Sequence, residues 1–334
     1  MREAFFYEIL KGEKIKCCLC PHNCVIEESG RGICGVRENR KGILYSLVYG
    51  KLIAENLDPV EKKPLFHFLP GTFTYSIATV GCNLRCLHCQ NSEISQFHGK
   101  VIPGKERTPQ EALEVALGWG AKSISYTYTE PTIFFEFAYD LAKLAHGKGL
   151  RNIFVTNGYA TKRAWEKISP YLDGVNIDLK SFREDFYRKI CGGKLSPVLE
   201  TIKLLKSLGI WIEITTLIIP TLNDSEKELE EISQFIVSLD SSIPWHVTAF
   251  YPHYKLINLP PTSPEILFKA REIGLKNGLK YVYVGNILGG EGENTYCSEC
   301  GSLLIERKGF SIIKLALSAG KCKECGKELE GVFV

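Results

Sequence analysis

Gly81-Cys82-Asn83-Leu84-Arg85-Cys86-Leu87-His88-Cys89 follows directly on Tyr75-Ser76-Ile77-Ala78-Thr79-Val80, a run whose β-branched and aromatic content reads as a strand. The loop therefore delivers three thiols, Cys82, Cys86 and Cys89, from one strand end at C-x3-C-x2-C spacing. A [4Fe–4S] cube bound by four thiolates is coordinatively closed and suited to moving electrons. A cube bound by three keeps one iron open to a small molecule, which is a catalytic arrangement. The alternative is a zinc knuckle completed by a distant cysteine or histidine, but such knuckles usually pair two cysteines with two more at knuckle spacing.

Outward from this loop, short apolar runs alternate with longer amphipathic ones. Strands are predicted at 75–80, 123–127, 152–156, 174–178, 211–218, 245–249 and 281–284, with helices at 108–117, 133–146, 197–208, 225–239 and 263–277. That rhythm implies a parallel sheet with right-handed crossovers. A partial (β/α)6-type barrel over 71–290 fits the count, whereas a doubly wound sheet would normally carry a Gly-rich dinucleotide loop, and none is found.

In parallel barrels, chemistry gathers where strands end. After the second predicted strand stands Glu130-Pro131, where a bland role for the carboxylate is stabilising the first turn of a helix. The third strand ends in Thr156-Asn157-Gly158-Tyr159 and the fourth in Asp178-Leu179-Lys180-Ser181. Asp178 can accept from an amine or a ribose hydroxyl, and Lys180 can neutralise a carboxylate; a surface ion pair is the plainer reading. His246 lies in the penultimate strand, as a cavity residue or as a core histidine bonded to backbone. Cys191 stands apart from the other cysteines, as a hydrogen donor, a ligand or a small buried hydrophobe.

Both flanks are rich in cysteine. Residues 1–70 carry Cys17, Cys20, Cys24 and Cys34, with Cys18 and His22 as substitutes, in a segment too short and polar to build its own core. These four read as a zinc site or an auxiliary iron–sulfur cluster, and 42–54 reads as a short hairpin. In 291–334, Cys297-x2-Cys300-Gly301 and Cys322-x2-Cys325-Gly326 give a zinc-ribbon pattern, with rubredoxin-like iron or a cluster as alternatives. Thirteen cysteines, mostly clustered, with no signal-like N-terminus read as metal ligands or catalytic groups of a cytoplasmic protein rather than as disulfides. With 41 basic and 38 acidic residues, the net charge of +3 gives no electrostatic case for a nucleic-acid or membrane partner.

The Cys82–Cys89 loop with Gln90-Asn91 resembles that of the radical S-adenosylmethionine (SAM) enzymes, especially the pyruvate formate-lyase activating branch. Together with Cys17-Cys18-Leu19-Cys20-Pro21-His22-Asn23-Cys24 and Arg31-Gly32-Ile33-Cys34-Gly35-Val36-Arg37, it is similar to the radical SAM proteins of AmmeMemoRadiSam systems. The resemblance spans residues 15–290. It implies a [4Fe–4S] cluster on Cys82, Cys86 and Cys89, and reductive cleavage of SAM to a 5′-deoxyadenosyl radical that abstracts hydrogen from a substrate. It implies cofactor contacts for His88 near adenine, and for Glu130, Asn157, Asp178, Lys180 and His246. Tyr128-Thr129 replaces the two glycines that precede Glu-Pro in the family motif. A flavodoxin or ferredoxin reductant, a protein substrate such as a glycyl-radical enzyme, and AMMECR-type and Memo-type partners are further implications. The competing class is an iron–sulfur electron carrier without SAM chemistry.

Overall fold

The computed structural model describes residues 1–287 and 291–333. The predicted boundary at residue 290 lies outside them. Eight strands form one sheet in chain order: β1 (Ala54–Pro59), β2 (Phe73–Ala78), β3 (Ser123–Tyr126), β4 (Arg151–Thr156), β5 (Gly174–Asp178), β6 (Trp211–Ile218), β7 (Trp245–Ala249) and β8 (Val282–Gly285). β1 runs antiparallel to β2, and β2 to β8 are parallel throughout. Among the described residues β1 and β8 do not pair, so the barrel is open.

Helices α1 (Pro109–Gly118), α2 (Phe135–His146), α3 (Lys162–Ile168), α4 (Ser196–Ser207), α5 (Glu226–Leu239) and α6 (Pro264–Lys276) make the six crossovers between the parallel strands. Local chemistry sets their starts. Thr108 and Glu111 exchange capping-box bonds ahead of α1, with Pro109 at the first helical position, and the Ser225 side chain caps α5. The predicted strands and helices recur here. Helix α3 is additional, because seven residues are too few to display an amphipathic period.

The N-terminal segment folds differently from its predicted hairpin. Arg37–Arg40 pairs with Ile43–Ser46 through Lys41-Gly42, both at positive φ, which is the geometry of a two-residue primed turn. Lys51–Leu52 instead pairs with Lys105–Glu106, and Ala54 begins β1. Buried Arg37 clamps this segment to α2 by two bonds to Glu136, at 3.0 and 2.6 Å, while Glu136 also accepts from Phe5 N–H. Phe5 and Phe6 pack edge-on against Phe135.

The C-terminal module packs against the segment between β1 and β2. Phe66, Tyr281, Tyr283, Leu304, Ile305 and Leu329 share a small core with Cys297 and Cys322. Backbone bonds join Leu69 N–H to Val332 O and Val332 N–H to His67 O, and the Arg307 guanidinium lies 4.2 Å from the Phe66 ring centroid. No helix among the described residues is long and apolar enough to cross a membrane.

Candidate active site

The three motif thiols sit in one wall of a cavity of about 440 Å³ at the strand ends of the sheet. The backbone leaves β2 at Ala78 and turns at Gly81, whose φ of +101° suits glycine; a Cβ there would lie 2.8 Å from both Cys34 O and Val36 Cγ1. Arg85 N–H then donates to Cys191 O at 2.7 Å and Leu87 N–H to Ile190 O at 2.9 Å, so the turn Tyr187–Cys191 holds the loop from behind. Leu84 N–H donates to Cys82 Sγ at 3.4 Å, and Cys89 Sγ meets Ser95 Oγ at 3.1 Å. Cys191 is fully buried.

His88, Glu130, Asn157, Asp178, Lys180 and His246 line the same cavity as the three cysteines. Lys180 Nζ donates to Asp178 at 2.8 Å. Burial opposes the ammonium, but Asp178 and the neighbouring Cys86 and Cys191 outweigh it and hold its pKa well above the ordinary value. His88 is pushed down to about 3 by burial, with Lys180 adding to the effect, so its imidazole is neutral. Its buried Nδ1 has no partner among the described residues. Asn157 Nδ2 bonds Asn83 Oδ1 at 2.8 Å and reaches to 3.8 Å from Cys82 Sγ.

Glu130 is the most saturated group. One carboxylate oxygen accepts from Thr132 N–H, Thr132 Oγ1 and Thr156 Oγ1, and the other from Asn157 N–H. Burial raises its pKa while these donors oppose the rise. The side chain therefore ties the end of β3 to the end of β4 and caps the turn that follows it. His246 donates to Glu213 at 2.7 Å, and Glu213 also accepts from Phe66 N–H, His67 N–H and Trp211 Nε1. The histidine is thus clamped between a buried carboxylate and the rings of Phe66 and Tyr283.

Several cavity residues carry no sequence motif. Glu61, Lys62 and Lys63 enter from the segment after β1, and Phe310 enters from the C-terminal hairpin. Glu61 is 1% exposed, with Oε2 unpartnered, and Lys63 is 2% exposed and bonded to Asp58 at 2.6 Å. Their charged run reads as a solvated surface; the one signal for burial is the Pro64-Leu65-Phe66 that follows.

The tail cysteines form a separate site. Among the described residues, Cys297, Cys300, Cys322 and Cys325 are the one set of three or more candidate ligands whose ligand atoms all lie within 4.8 Å of one another. Cys297 Sγ is 3.6 Å from Cys325 Sγ, and Cys300 Sγ is 3.8 Å from Cys322 Sγ. Four thiolates about 2.3 Å from one tetrahedral ion lie about 3.8 Å apart, so the set fits a single metal. Cys17, Cys20, Cys24 and Cys34 line a second, small pocket, from which Cys18 is absent.

An open β/α barrel whose first parallel strand, β2, delivers three cysteines into a cavity defines the class, and the Radical SAM superfamily profile matches residues 76–236. Residues 76–236 are thus a Radical SAM domain, and the chain is an enzyme. It is 49% identical to the uncharacterized protein MJ0808 of Methanocaldococcus jannaschii over the whole of both chains. It is 26% identical to the pyruvate formate-lyase-activating enzyme of Clostridium pasteurianum, covering 53% of this chain and 76% of that one. A putative glycyl-radical enzyme activating enzyme, MJ1632 of the same archaeon, is 27% identical over 60% of this chain and 76% of its own. Streptococcus suis SuiB bound to precursor peptide SuiA shares the fold at a TM-score of 0.51 and 14% identity. That match covers 68% of this chain and 51% of SuiB.

Proposed function

We propose that this chain binds a [4Fe–4S] cluster through Cys82, Cys86 and Cys89 and uses it to cleave SAM reductively, generating a 5′-deoxyadenosyl radical that abstracts hydrogen from a substrate. The observation that carries the reading is convergence. Nine residues singled out in the sequence, eight at four strand ends and His246 within β7, line one cavity, with three thiols and a Lys–Asp pair among them. When bound, the cluster supplies one electron and an open iron for SAM's amino and carboxylate groups.

The chain's own residues then hold and orient the cofactor. Lys180 stays charged and faces a carboxylate, Asp178 offers an acceptor to an amine or ribose hydroxyl, and neutral His88 offers a flat ring to adenine. Asn157 is fixed by Asn83 beside Cys82. Glu130, its oxygens already bonded, acts by shaping the strand ends whose backbone faces SAM. His246, held by Glu213, closes the adenosine side.

For the substrate, the likeness to activating enzymes favours a protein, with a glycyl-radical enzyme first, served by a flavodoxin or ferredoxin in the cytoplasm. The AmmeMemoRadiSam resemblance makes AMMECR-type and Memo-type proteins the partners to try. The tail tetrathiolate is a structural zinc site. The domain reading is an N-terminal metal segment over 1–70, a barrel over 71–290 and a zinc-ribbon module over 291–334. Anaerobic reconstitution with SAM and dithionite should yield 5′-deoxyadenosine, and a candidate partner should then acquire a stable glycyl radical. An intact cluster that leaves SAM uncleaved under several reductants would instead favour the electron-carrier class.

A further inference from the structure

The four N-terminal thiols share a pocket wall, yet they are spread more widely than the tail set, since they fall outside the 4.8 Å spacing that the tail meets. The catalytic trio Cys82, Cys86 and Cys89 falls outside it in the same way. A single ion draws its thiolates to about 3.8 Å from one another. A cube binds each thiolate on a different iron and so holds them farther apart.

Other features of this pocket point to an anionic occupant. Buried Arg37 lines it with Nε–H unpartnered, while its terminal nitrogens bond Glu136 and Phe5 O. This unpartnered N–H donor favours an anionic cluster in the pocket.

The pocket also abuts the catalytic loop. His22 Nε2 donates to Asn83 O at 2.7 Å, Asn83 lines the pocket, and Cys34 O packs against Gly81. Each of these contacts is one residue from Cys82. Towards the outside, the lining residue Ile33 is 44% exposed. We infer that Cys17, Cys20, Cys24 and Cys34 bind a second [4Fe–4S] cluster that relays electrons from a protein donor to the Cys82–Cys89 loop.

The site stands on its own geometry, while its relay role rests on the radical SAM reading above. One electron leaves a low-potential donor of the flavodoxin or ferredoxin class. It reduces the N-terminal cluster from the 2+ to the 1+ core and passes on, with no bond made or broken there.

Iron and sulfide analysis with electron paramagnetic resonance tests the inference on three reconstituted proteins. The unmodified chain should hold about eight cluster irons, and a Cys82→Ala/Cys86→Ala/Cys89→Ala variant about four, in a cluster whose reduced signal ignores SAM. Cys20→Ser/Cys34→Ser should hold about four in a cluster whose signal responds to SAM. Its flavodoxin-driven cleavage, taken as a ratio to dithionite-driven cleavage, should fall at least about tenfold. A triple variant free of iron and sulfide, or one holding a lone zinc at these thiols, would overturn the second cluster. An unchanged donor ratio would overturn the relay. If both clusters form but neither responds to SAM, the catalytic reading and the relay fail while the second site stands.

Discussion

The tail and the core loop both present cysteines on turns, but they do opposite things with them. Cys297, Cys300, Cys322 and Cys325 come from two hairpin-like knuckles and close on one another, with opposite sulfurs 3.6 and 3.8 Å apart. Cys82, Cys86 and Cys89 come from one loop facing a cavity whose other walls include residues of β3 to β8 or the turns that follow them. A complete tetrahedron satisfies its metal and leaves chemistry no position, whereas three thiols beside open volume leave one. What distinguishes them is what the fold places beside the thiols: in the tail a fourth thiol, in the core a cavity that Lys180 and Asp178 also line.

The most severe way to break this comparison is to remove a core ligand. Cys86→Ala should reduce deoxyadenosine formation to background while tail metal stays near one per chain, measured by mass spectrometry alongside metal analysis. Retained cleavage would reject the ligand assignment. The reciprocal change, Cys297→Ser with Cys322→Ser, should release the tail metal. Because structural zinc contributes about 10 kcal/mol or more to folding of small sites, the module should then become sensitive to limited proteolysis. Cleavage per folded chain should remain within about tenfold, since of the tail only Glu293, Gly309 and Phe310 line the cavity.

A gentler probe is pH at the joint between tail and barrel. His67, bonded to Glu330 O and Tyr283 Oη, is pushed down to about 4 from 6.5 by burial, against the pull of Glu213. The fold therefore holds it neutral. Its contribution is present above pH 6.5 and is lost as pH falls towards 4, where protonation favours the unfolded chain. That depression corresponds to about 3 kcal/mol. Thermal unfolding should show the unmodified chain losing about that much more than His67→Gln between pH 7 and 4.

The smallest expected effect sharpens the open side. Lys180→Ala or Asp178→Asn removes one charged hydrogen-bond partner, so SAM affinity should weaken by about 10- to 100-fold, an effect of about 1.5–3 kcal/mol. Equilibrium dialysis on the reconstituted protein reads this directly, and an unchanged affinity would return the pair to a structural role.

The seven parallel strands are legible because β-branched and aromatic runs at short spacing admit few other readings, and the residues that end them follow at once. Strand β1 is not legible. Ala-Glu-Asn-Leu-Asp-Pro has little β propensity, and it is held at the sheet edge by register with β2 and by Asp58, which pairs with Lys62 and Lys63. The same tertiary cause hides Glu61 and Lys63, whose burial is decided by the Phe66 segment packing under the tail. Glu130 is the instructive middle case. Its place at the site follows from Glu-Pro after a strand, but its four donors come from Thr132, Thr156 and Asn157, and only folding brings the latter two to it.

The central claim is an open iron in the core loop. Electron–nuclear double resonance on the reduced protein with SAM labelled by 15N in the amino group and 17O in the carboxylate tests it most directly. Hyperfine coupling from both labels to one cluster, lost in Cys86→Ala and retained after substitution of the tail cysteines, is the predicted result. A reduced cluster whose spectrum neither changes with SAM nor couples to either label would contradict the account.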